Sequence, residues 1–173
     1  MFVDESGFYR LLDVVKTYAP RGQTPLLRGP LSWDHLSLIG ALTLRGEVVM
    51  QVQQHSVKSV NVIAFLRQLL GHFSGKLLLI WDGLPAHRSQ AVKTFLRQEA
   101  ADRLHLERLP AYAPELNPME GVWQYLKCVE LRNVCCHHLP HLCYLLSRAI
   151  RRLQQKLEVL FACIRHAGFS PAL

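Results

Sequence analysis

The sequence predicts an α/β fold in which a mixed central sheet carries helices on both faces. Two observations predict it. An opening strand and a hairpin come first, and helical and strand patterns alternate after them, so early strands pair antiparallel and later ones enter through crossovers. The chain has 173 residues, 50% of them hydrophobic and 19% charged, enough to bury one substantial core rather than stay disordered. No internal repeat, low-complexity segment or linker interrupts it, so residues 1–173 read as a single domain.

Residues 1–4 are apolar up to Asp4 and read as the last part of a strand. A loop-rich stretch follows, punctuated by Pro20, Gly22, Pro25, Gly29 and Pro30. Residues 36–44 (LSLIGALTL) and 47–53 (EVVMQVQ) flank Arg45-Gly46 as a hairpin. Ser59 is placed to cap a helix with Val62, Phe65, Leu66, Leu69 and Leu70 on one face. Residues 77–82 (LLLIWD) form a short continuous apolar run, the mark of a central strand buried on both faces. Ser89 caps a second helix bearing Val92, Phe95, Leu96 and Ala100, and residues 104–109 (LHLERL) alternate as a further strand. Asn117-Pro118 pairs an N-cap with proline at the first helical position. From about 139 to 164, Leu142, Leu145, Leu146, Ala149, Leu153, Leu157, Leu160 and Ile164 make one long helical stripe, with Arg148, Arg151, Arg152 and Lys156 off it.

Lys and Arg number 20 against 13 Asp and Glu, a net charge of +7. That excess suits a polyanionic partner such as DNA, although many basic proteins bind no nucleic acid. The opening MFVDE lacks the basic-then-apolar run of a signal peptide, and no uncharged apolar stretch approaches the ~20 residues that span a bilayer. Five cysteines in a chain too large to depend on disulfides fit a reducing cytosol. The expectation is a cytoplasmic protein with no membrane partner.

Asp4 and Asp82 each end an apolar run that reads as a core strand, where a charge is costly unless it reaches solvent or a cation. Functional groups collect at the carboxyl ends of strands in open α/β sheets, and two acids there would repel unless a hard divalent ion joined them. Taken singly, each also reads as a turn acid or a cap. Glu120 has a local explanation too: NPME at 117–120 has capping-box spacing. That leaves unexplained the stiff, aromatic-bearing LPAYAPEL at 109–116, which looks built to aim the helix end.

FVDESGF at 2–8, IWDGLPAHR at 80–88 and LPAYAPELNPMEGVW at 109–123 together resemble the insertion-sequence transposases of the IS630 group, in the Tc1/mariner superfamily. YAPRGQTP at 18–25 resembles that family's loop between the first two strands. The resemblance implies an RNase H-like fold with an Asp–Asp–Glu metal triad, here Asp4, Asp82 and Glu120. It implies two Mg²⁺ ions, with Mn²⁺ able to substitute, and phosphoryl transfer that cuts element ends and joins them to target DNA. Double-stranded DNA is then the partner, a homodimer the working assembly, and a bacterial, nucleoid-associated cytoplasm the setting. Complete members carry N-terminal helix-turn-helix modules, which the resemblance does not find before Asp4. A separately encoded helix-turn-helix partner or a truncated copy would account for that.

His87, Arg88, Asn117 and Lys127 are carried as candidate DNA-contacting or active-site support. His87 reads equally as a phosphate or metal-water contact and as a loop histidine bonded to backbone. Glu5 is sent to the face opposite Asp4 by strand alternation, and Trp123 reads as core. Cys135, Cys136, His137 and His138, with His141 and Cys143, are too closely spaced for a usual zinc site, so buried thiols are the expectation. Two other readings stay open: an RNase H-like nuclease, which the proline-rich motif before Glu120 does not fit, and an inactive transposase relic that at most binds DNA.

Overall fold

The computed structural model describes residues 1–10, 15–23, 26, 33–110 and 112–172. Five strands, β1 (Phe2–Tyr9), β2 (His35–Leu42), β3 (Val48–Gln53), β4 (Leu77–Trp81) and β5 (Leu104–Arg108), form one sheet in the order β3-β2-β1-β4-β5. β1, β2 and β3 pair antiparallel, whereas β4 and β5 run parallel to β1. The helices are α1 (Ser59–His72), α2 (Gln90–Gln98), α3 (Pro118–Tyr125), α4 (Leu139–Gln154) and α5 (Leu157–His166).

Strand alternation splits the core in two. Phe2, Phe8, Leu36, Leu38 and Leu42 face Met119, Val122, Leu142, Leu146 and Leu160 of α3, α4 and α5. Val3, Ile39, Ala41 and Leu79 face Val62, Phe65, Leu66, Leu69, Val92 and Phe95 of α1 and α2. This is the mixed sheet with helices on both faces that the element order predicts. No helix among the described residues is long and apolar enough to cross a membrane.

Several boundaries differ from the sequence reading. β1 does not stop at Asp4; it runs on to Tyr9, paired residue by residue with β2 from Phe2↔Leu42 to Tyr9↔His35. Polar Asp4 and Glu5 interrupt the apolar pattern without ending the ladder, because each finds a hydrogen-bond donor inside the fold. Asp4 therefore sits within the central strand. β4 lies beside it rather than at the centre, and Leu78 is 47% exposed, so β4 is not covered on both faces. The cap of α1 falls on Lys58, whose N–H donates to Asn61 Oδ1 at 2.9 Å, one residue before Ser59.

The long C-terminal stripe breaks into α4 and α5 at Gln155–Lys156. Lys156 leaves helical geometry at φ −104°, ψ 68°, and its Nζ binds Glu130 Oε1 at 2.8 Å and the Tyr125 hydroxyl at 2.9 Å. The apolar period continues across the break, so the sequence hides it. The hairpin turn, the Ser89 cap of α2 and the Asn117-Pro118 start of α3 all form where the sequence places them. Thr24-Pro25 and Gly29-Pro30 of the loop between β1 and β2 lie outside the described residues.

Candidate active site

Parallel pairing of β1 with β4 sets Phe2 opposite Ile80, so two residues further on Asp4 and Asp82 reach the same end of the sheet. Asp4, Asp82 and Glu120, from β1, the end of β4 and the first turn of α3, line one open cleft of about 560 Å³. Arg88, Arg108, Tyr112 and Asn117 line it too.

Asp4 is buried at 7% exposure, yet among the described residues no basic side chain pairs with it. Its Oδ2 accepts from Trp123 Nε1 at 2.9 Å. The indole reaches it across Gly40, the residue opposite Asp4 on β2. A Cβ at Gly40 would stand 2.8 Å from Trp123 Cη2 and 2.7 Å from Met119 Cε, so glycine is required there by close approach. Burial pushes the Asp4 carboxyl up to about 7; the Trp123 hydrogen bond opposes this, and repulsion from Glu120 and Glu5 adds to it.

Asp82 is held differently. Its Oδ1 accepts the Leu84 N–H at 3.0 Å and lies 3.0 Å from His87 Nδ1. Partial burial raises its pKa, but the His87 and Leu84 hydrogen bonds outweigh that and keep it below the usual carboxylate range. The His87 ring stacks flat on Trp81, centroids 4.2 Å apart, and its Nε2 lies 2.7 Å from Glu5 Oε1. Burial works against charge on His87, yet its bonds to Asp82 and Glu5 raise the imidazole to about 10. Glu5 does point away from Asp4, as strand alternation requires.

The capping explanation for Glu120 does not hold in the structure. Asn117 Oδ1 caps α3 by accepting from Met119 N at 3.2 Å, but the Asn117 N–H that a capping box would claim donates to Pro114 O at 2.9 Å. The Pro114–Leu116 turn of 3-10 helix has taken that donor, and the Glu120 side chain, exposed, faces the cleft.

Of the supporting candidates, Arg88 and Asn117 line the cleft, Asn117 as a cap. His87 lies beneath the cleft at 4% exposure, and Lys127 sits away from it with Nζ 5.3 Å from the Phe8 ring. The sequence reading missed the Trp123 bond to Asp4, the Glu5–His87 pair and Arg108, whose side chain lies 3.6 Å from where a Cβ on Gly83 would stand. The spacing of Trp123 three residues after Glu120, on one helical face, was the available signal for the first. Among the described residues, the cysteines and histidines of 135–143 do not bring three ligand atoms together.

The donor set of the cleft is all carboxylate oxygen, and a buried acid beside a second acid is what a hard divalent cation would relieve. Asp4, Asp82 and Glu120 line the cleft as candidate donors, although among the described residues their ligand atoms do not all lie within 4.8 Å of one another.

The family model of the DDE superfamily endonucleases matches residues 1–134, which include all three acids. No curated protein matches. Among solved structures, the mariner Mos1 paired-end complex with Mg is 18% identical at a TM-score of 0.65, covering 98% of this chain and 55% of that one. The pre-cleavage Mos1 transpososome is 16% identical at 0.64, covering 96% of this chain and 55% of the other. The catalytic domain of the Mos1 mariner transposase is 15% identical at 0.53, covering 97% and 81% respectively. The chain thus spans about half the length of the full Mos1 chains and most of their catalytic domain. By its sequence and its RNase H-like fold, the chain belongs to the DDE superfamily endonucleases.

Proposed function

We propose that this chain is the catalytic domain of a cut-and-paste DNA transposase, in which Asp4, Asp82 and Glu120 hold Mg²⁺. The observation that carries the reading is that three carboxylates, from three elements, line one open cleft. Divalent ions held there by Asp4, Asp82 and Glu120, Mg²⁺ or Mn²⁺, would supply Lewis-acid chemistry for phosphoryl transfer.

The chain's own residues do the rest. Asp82 is kept ionised by its donors and offers a charge in advance, whereas burial leaves Asp4 partly protonated near neutral pH, and a bound cation would favour its ionised form. Asn117 fixes the start of α3 and so aims Glu120. Arg88 and Arg108 present guanidinium groups along the cleft, suited to phosphate oxygens of double-stranded DNA. Transposon ends and target DNA would both pass here. The Mos1 neighbours are paired-end and strand-transfer complexes, which supports a homodimeric assembly for this chain as well. Residues 1–173 act as one catalytic unit, end recognition comes from helix-turn-helix modules in a further segment or a separate chain, and the protein works at the nucleoid of a bacterium.

Glu120→Gln tests the reading. Glutamine serves a helix start about as well as glutamate, so a capping residue predicts full Mg²⁺-dependent nicking of element-end DNA and a wild-type melt. The triad role predicts an unchanged melt with nicking lost. Retained nicking removes Glu120 from the site.

A further inference from the structure

We propose that Glu5 and His87 form a buried positioning pair that fixes Asp82 by tying one of its carboxylate oxygens. The inference rests on the metal-holding role proposed above for Asp82. The Leu84 N–H donates to Asp82 Oδ1 at 3.0 Å, and His87 Nδ1 lies 3.0 Å from the same oxygen while also facing the Asp82 backbone carbonyl at 3.3 Å. Among the described residues no hydrogen bond ties Oδ2, and Asp82 lines the cleft. Asp4 is likewise held at one oxygen, with Trp123 Nε1 donating to its Oδ2 at 2.9 Å.

His87 cannot orient Asp82 unless it is itself oriented. Trp81 fixes the plane of the ring, stacking at 4° to it, and Glu5 fixes its rotation by taking Nε2 at 2.7 Å. Glu5 Oε2 is buried without a hydrogen-bond partner among the described residues. A fold that needed only packing here would be better served by an apolar residue, because a half-satisfied buried acid is destabilising. The acid is kept where it faces an imidazole that in turn contacts Asp82.

Ligand atoms of Glu5, Asp82 and His87 lie within 4.8 Å of one another, which could suggest a metal held by these three. The hydrogen bonding argues otherwise. Both ring nitrogens are spent on carboxylates at 2.7 Å and 3.0 Å, and a nitrogen donating its N–H has no lone pair for an ion. The histidine stands behind the acid, as partners of metal ligands commonly do.

The experiment is an Mn²⁺ titration of the 173-residue chain without DNA, followed by electron paramagnetic resonance, with a thermal melt of each variant. His87→Ala is expected to weaken Mn²⁺ binding roughly 10- to 100-fold. His87→Asn, whose amide N–H falls near Nδ1, regains most of that loss, whereas His87→Gln, reaching toward Glu5 instead, does not. Glu5→Gln, which keeps an acceptor for Nε2, weakens binding only a few-fold. A folded His87→Ala with wild-type affinity overturns the proposal. Should His87→Ala fail to fold, equal affinity in the Asn and Gln variants at matched stability overturns it. Loss of Mn²⁺ binding in Glu5→Gln as complete as in Asp82→Asn puts the ion on the pair itself and also overturns it. Asp82→Asn separates the two levels: unchanged affinity there defeats the triad reading, while lost affinity there with none lost at His87 defeats only the pair.

Discussion

Asp4 and Asp82 are the same residue on neighbouring strands, and the fold treats them in opposite ways. Asp4 lies inside the central strand at 7% exposure, held by a neutral indole, and its carboxyl is pushed up to about 7. Asp82 follows the end of its strand with its side chain 37% exposed, held by an imidazole and a backbone N–H, and its carboxyl stays low. One acid waits for its counter-charge and the other is charged beforehand. A cleft made of two acids like Asp82 would repel itself before any cation came; two like Asp4 would hold protons instead of metal. For the proposed metal site, the asymmetry would limit repulsion when it is empty while leaving one charge to attract a cation.

The largest expected effect comes from removing either charge. Asp4→Asn and Asp82→Asn should each lower single-turnover nicking on the order of 10³-fold or more while leaving DNA binding close to wild type in a gel-shift assay. If only one of them loses activity, the two acids are not joint holders of the metal.

Melting without metal comes next. The Asp4 carboxyl is raised from 3.8 to about 7, so its stabilising contribution is complete below 3.8 and is lost as pH rises through 7. That gap corresponds to roughly 4 kcal/mol, and calorimetry of metal-free chain should show the melting temperature falling between pH 4 and 7. Asp4→Asn should lack this fall. His87, raised from 6.5 to about 10, holds its contribution below 6.5 and loses it as pH rises through 10. Its variants should therefore depart from wild type below neutrality and converge with it in strong alkali. A wild-type melt that is flat from pH 4 to 7 would mean Asp4 is not buried as described.

A smaller effect is expected where Trp123 crosses Gly40. Trp123→Phe keeps the bulk and removes the N–H, and should cost about 1–3 kcal/mol at pH 8, where Asp4 is ionised, and less at pH 5. Gly40→Ala should cost a comparable ~1–3 kcal/mol at both pH values, because it crowds the ring rather than the charge. Chemical denaturation at the two pH values distinguishes them.

What the sequence made legible is what local chemistry determines. Ser89, the Arg45-Gly46 turn and Asn117-Pro118 announce themselves through neighbours a few residues away. The three acids could be picked out because each sits in a short, unusual motif. What stayed hidden depends on distant partners: Trp123 bonds to a residue 119 positions earlier, and His87 to one 82 positions earlier. β1 ran past Asp4 because β2 supplied its ladder, and the final helix broke because Lys156 is drawn to Glu130 and Tyr125. Neither cause appears in the pattern of a single segment.

The central place of β1 bears on how this chain comes into the world. A ribosome delivers β1, β2 and β3 early, but the neighbour on the other edge of β1 is β4, which follows only after α1. Contacts of such long sequence separation form slowly, since the loop must close before it gains anything. Until α3 emerges there is no indole over Asp4 and no Glu120, so a half-made chain carries the first acid without any cutting centre. Completion of the fold is thus required for the proposed site: its first acid gains its indole partner only when residue 123 docks on residue 4.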